Sequence, residues 1–68
     1  MQVTAILTPA DEGGYVAFNP ETGTTTQGES VEEALANLRE AVELFLEDEP
    51  MKLAGTALVT TVTIKEHA

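Results

Sequence analysis

An α+β fold of order β-β-β-α-β is what this sequence predicts, with one helix packed across a mainly antiparallel sheet. Three observations predict it. Short runs rich in β-branched residues, separated by Gly, Pro and Asp, fill residues 2–27. An amphipathic stretch with an N-terminal cap signal follows, from Ser30 to about Glu47. A last β-branched run spans Leu58 to Lys65.

Each element follows from its residues. In 2–8, Val3, Ala5 and Leu7 alternate onto one face, as a strand requires, and Pro9 ends the run. Residues 10–14, with Asp11, Gly13 and Gly14, are turn chemistry. Residues 15–18 read as a second strand in a hairpin with the first. After a turn at 19–23, Thr24 to Gln27 form a third, weakly apolar strand suited to an edge. Ser30 and Glu33 fit a capping box. Val31, Leu35, Leu38, Val42, Phe45 and Leu46 then share one helical stripe, flanked by Ala34 and Ala41, and Pro50 stops the helix. Residues 50–57 connect to the fourth strand, 58–65, in which Leu58, Thr60, Val62 and Ile64 share a face. A right-handed crossover sets that strand parallel to the first, giving the order 3-2-1-4. One sheet face lies under the helix and the other stays bare.

The chain has 68 residues, a single domain over 1–68, and no cysteine to staple it. A domain of that size is marginal alone, so a dimer or larger, held by the sheet face or an edge strand, is expected. Twelve acids against three bases give a net charge of −9. That balance argues against direct nucleic-acid binding and against an anionic membrane, and it suits a basic partner. No signal peptide and no membrane span are recognisable, and a cytoplasmic protein is expected.

Catalysis finds no support. The sole histidine, His67, reads as a surface residue near the end, and no metal-ligand cluster is visible. Asp11/Glu12 and Glu32/Glu33 are adjacent in sequence and do not flank a common bond. The Gly13-Gly14-Tyr15 segment lacks the Lys and Ser/Thr of a phosphate loop. No enzyme, metal or cofactor is expected. Leu44 is different: at helical spacing it points roughly 140° away from the apolar stripe. With Glu40, Glu43, Glu47 and Asp48 it forms the candidate partner-binding surface, one apolar anchor among acids.

Gly13-Gly14-Tyr15-Val16-Ala17, Pro20-Glu21, Thr26-Gln27-Gly28-Glu29-Ser30, Glu32-Glu33-Ala34, Asn37-Leu38 and Glu40-Ala41 together resemble the N-terminal domain of the HicB antitoxin family. The resemblance covers nearly the whole chain. It implies a partly degraded ribonuclease-H-like fold and a small basic RNA-cleaving toxin, HicA-like, as partner. Many members of that family carry a C-terminal DNA-binding segment. This chain shows none, so operator binding is not expected of it. A Pro-Gly-Cys often seen before the family's third strand is replaced here by Thr22-Gly23-Thr24-Thr25. Two readings stand: an antitoxin-type binding module, and a stand-alone homo-oligomer of structural or regulatory role. A degenerate hydrolase is a remote third.

Overall fold

The computed structural model describes residues 1–49 and 55–66. Three antiparallel strands, β1 (Ile6–Pro9), β2 (Tyr15–Asn19) and β3 (Thr24–Gly28), form a sheet in the order β1-β2-β3. Helix α1 (Val31–Asp48) lies across one face of it, chiefly over β3 and β2. In β1–β2 the register pairs Ile6 with Phe18 and Pro9 with Tyr15; in β2–β3 it pairs Tyr15 with Gly28 and Asn19 with Thr24.

The turns hold where glycine permits them. Gly13 (φ 101) and Gly14 (φ 78) close the first hairpin, with the Ala10 amide donating to the Gly14 carbonyl at 3.0 Å. Gly14 is needed twice over, since a Cβ there would stand 2.6 Å from the Gly28 carbonyl oxygen. Gly28 in turn sits against the helix start: its Cβ would lie 2.5 Å from the Ala34 nitrogen. Three small residues thus let the first turn, the end of β3 and the first turn of α1 touch backbone to backbone.

The helix starts as the sequence predicts. The Ser30 hydroxyl accepts from the Glu33 amide at 3.1 Å. The reciprocal arm of the box is shifted by one residue, because the Glu33 carboxylate accepts from the Glu29 amide at 3.0 Å. Ala17, Ala34, Leu38 and Val42 form the buried core, with Val3, Leu7, Tyr15 and Leu46 packed around it.

Four expectations are corrected. No fourth strand is present among the described residues: 55–66 are non-strand and exposed throughout. The sheet therefore has three strands, and β1, not a fourth strand, is its second edge. The strand expected over 2–8 begins only at Ile6, because Thr4 is held by side chains instead of by a ladder. On the helix, Ala34 is central and Leu35 is 37% exposed. The close approach at Gly28 rotates the contact row onto Ala34, Leu38 and Val42, spaced by four residues, and turns Leu35 toward the sheet edge. His67 and the connector at 50–54 lie outside the described residues.

Candidate functional site

Four regions of the surface could carry function. The first is the outer face of α1. Glu40, Glu43, Glu47 and Asp48 are all exposed there, and Leu44 is 55% exposed among them. Helical geometry sets Glu40, Leu44 and Asp48 in one row and Glu43 and Glu47 in the next. The fold brings the five residues together as the spacing requires. The last turn of α1 contains no basic residue, so this acidic end faces the negative pole of the helix dipole uncompensated.

The second is a polar hollow of about 320 Å³ between the first turn and the helix start. Glu12, Tyr15, Glu29 and Glu33 line it. Among the described residues no basic group enters the lining, and the Glu33 carboxylate is engaged by the Glu29 amide. Among the described residues, no three His, Cys, Asp or Glu side chains stand close enough to hold a metal ion.

The third is a clamp built on Glu21, which in the sequence is marked only by its turn and by the Pro20-Glu21 motif. Its carboxylate accepts from the Thr4 amide at 2.8 Å, the Thr4 hydroxyl at 2.7 Å, the Asn19 side-chain amide at 2.6 Å and the Ala57 amide at 2.7 Å. The fully buried Asn19 also donates to the Thr4 carbonyl at 2.8 Å. Asn19 Oδ1 accepts from the Thr22 amide and hydroxyl, at 2.9 and 2.6 Å. Donors to the charged form, the Thr4 amide foremost and its hydroxyl next, hold the Glu21 carboxyl down at about 2. This cluster joins the N-terminal segment, the β2–β3 turn and the base of the segment that follows Ala57. The partners are up to 36 residues apart, so no local pattern announces them.

The fourth is an apolar groove of about 220 Å³ at the edge of the sheet, lined by Val3, Ala5, Leu35, Leu38, Arg39 and Val42. It lies where the helix overhangs the N-terminal segment that leads into β1. The bare sheet face opposite the helix carries Val16 and Phe18, the latter 38% exposed.

These features define a small α+β protein: three antiparallel strands, one helix, an acidic outer helix face and an open sheet edge. The chain belongs to a family described as "Family of unknown function (DUF7387)", matched over residues 3–63, and to the UPF0150 proteins. A UPF0150 protein of Helicobacter pylori is 49% identical over 49 residues, which is 71% of this chain and 67% of the relative. The UPF0150 protein ssl0738 of Synechocystis is 44% identical over 48 residues, covering 69% of this chain and 67% of its own length. A second Synechocystis protein, ssr1765, is 44% identical over 45 residues, 65% of this chain and 57% of the relative. No solved structure matches the chain. No helix among the described residues is long and apolar enough to cross a membrane.

Proposed function

We propose that this protein is a non-catalytic, cytoplasmic binding module of HicB-like antitoxin type, which neutralises a small basic RNA-cleaving toxin of HicA type. One observation carries the reading: Glu40, Glu43, Glu47 and Asp48 surround the exposed Leu44 on a chain of net charge −9. The mechanism is occlusion. A basic surface that must neutralise RNA phosphates is attracted by the same electrostatics to a rigid row of carboxylates. The acids accelerate encounter, and Leu44, desolvated on docking, sets the residence time. Burial of the toxin's basic surface then denies RNA its binding site. The resemblance quoted above supports this reading, as does a helix whose outer face is free of the core.

Stopped-flow binding to a small basic HicA-type ribonuclease, at two salt concentrations, tests it. Charge reversal at Glu40 and Glu47 should slow association, and added salt should slow it further. Leu44→Ala should instead speed dissociation. An association rate indifferent to both salt and the reversals rejects the acidic cap.

A second reading, a stand-alone homo-oligomer, is favoured by a separate observation. Leu58, Val62 and Ile64 are 90%, 78% and 71% exposed. A water-soluble monomer gains nothing from such a segment, whereas an assembly buries it.

A further inference from the structure

Residues 55–66 form an arm. From Gly55 to Ile64 it contains no charged residue, and seven of its ten residues, Thr56, Val59, Thr60, Thr61, Val62, Thr63 and Ile64, are β-branched. That is the composition of a buried strand. Yet the arm is exposed from end to end, and beyond Ala57 no hydrogen bond joins its backbone to another described residue. Its base alone is fixed, where the Ala57 amide donates to the Glu21 carboxylate at 2.7 Å. An extended run of eight residues, 58–65, reaches about 26 Å.

The same chain holds a matching vacancy in its core design. Helix α1 packs chiefly over β3 and β2, and toward the β1 side a groove stays open between Leu35, Leu38, Arg39 and Val42 of the helix and Val3 and Ala5 of the segment leading into β1. The opposite edge is less open, because the Gln27 carbonyl of β3 already accepts from the Asn37 side chain at 2.8 Å. A strand laid along β1 would face the groove with every second residue, and in the arm these are Leu58, Thr60, Val62 and Ile64.

We propose that residues 58–65 of a second copy of this chain occupy the groove beside β1, and that two copies exchange arms reciprocally. The proposal specifies the self-association reading above and is independent of any toxin. Size supports a second copy as the occupant. The chain exposes 5568 Å², whereas a compact monomer of 7.2 kDa exposes roughly 4100 Å². Recovering that excess in both copies would bury about 2900 Å², within the range of obligate dimers and above that of a transient contact. The radius of gyration, 14.1 Å, likewise exceeds the roughly 11 Å of a compact chain of this length. Charge supports it too: copies of −9 each repel, and the arm is the long uncharged surface through which they can meet. Donor and acceptor belong to one sequence, so a two-fold axis covers both arms and both grooves at once and leaves no open end.

Sedimentation equilibrium and cross-linking test the exchange together. The wild-type chain should sediment as a dimer. Val62→Lys should weaken that dimer about 100-fold or more, since it carries a second cation into a largely apolar groove that Arg39 already lines, while Leu44→Lys on the outer helix face should leave it intact. The chain has no cysteine, so Thr63→Cys accepts a single benzophenone label. In a mixture of isotopically heavy and light copies, its adducts should fall on Val3–Leu7 or Leu35–Val42 of the opposite isotope. A wild-type monomer removes self-association and exchange alike. A dimer that survives Val62→Lys, or one dissolved by Phe18→Asp on the bare sheet face instead, keeps self-association and overturns the exchange. Adducts confined to one copy, or absent from both segments, also overturn it.

Discussion

Residues 1–49 and residues 55–66 are equally strand- or helix-prone by composition, and the structure treats them oppositely. In the first region every element has a partner within reach: β1 and β2 share a tight turn, β3 returns beside β2, and α1 starts three residues after β3. In the second, a run of higher β-propensity than β3 has no ladder at all. Propensity alone therefore does not make a strand here. Thr24–Gly28 is a strand because the turn at Asn19 and Gly23 hands it to β2, whereas Leu58–Lys65 pairs with no described strand although Glu21 holds its base at Ala57 close to Thr4, just before β1.

The comparison can be broken most severely at Leu38. It is 3% exposed at the centre of the core, and Leu38→Ala should cost about 2–5 kcal/mol in chemical denaturation. Leu35→Ala, on the same helix but half out of the core, should cost clearly less. Equal losses would mean that Leu35 is covered as fully as Leu38. Next in size is Gly28→Ala. Its Cβ would meet the Ala34 backbone at 2.5 Å, so helix and β3 must separate, at about 1–3 kcal/mol. A neutral Gly28→Ala in the same melts would show that helix and strand are not locked there.

Smaller effects sharpen the contrast. Ser30→Ala should lose about 0.5–2 kcal/mol and Ser30→Asp almost nothing, because aspartate caps equally well. If both variants melt alike, the hydroxyl is not the cap. Glu21 links the two regions, and its effect depends on pH. Its carboxyl titrates at about 2 in the folded chain against an ordinary 4.5. A lowered value stabilises the fold above the ordinary one, and that contribution is lost as pH falls from about 4.5 through about 2. Glu21→Gln should therefore flatten the acid limb of a pH–stability profile over that window and release Ala57. An unchanged limb would assign the acid sensitivity to other carboxyls.

The elements whose causes are local are legible in the sequence. The turn at Gly13-Gly14, the Ser30 cap, the helix to about Glu47, one residue short of its end at Asp48, and the outward placement of Leu44 and its acids all follow from residues within a few positions of each other. The exchange of roles between Leu35 and Ala34 is not legible there. Periodicity finds the centre of an apolar stripe, but the approach of Gly28 decides which flank of that stripe is pressed against the sheet. The Thr4–Asn19–Glu21 clamp was equally illegible, since a buried asparagine and a carboxylate in a turn look like surface residues until the chain brings their partners to them.

The sequence by itself determined that there is one amphipathic helix, where it begins, how the first three strands turn, and that its outer face is acidic. Turn chemistry, capping and periodicity act over a few residues and need no knowledge of the rest. Only the tertiary structure decided that the sheet ends at β1, that Glu21 ties Ala57 to Thr4, and that Leu58 to Ile64 stand exposed. Those outcomes depend on whether distant parts of the chain meet. Closing a long loop carries an entropic cost that composition does not encode.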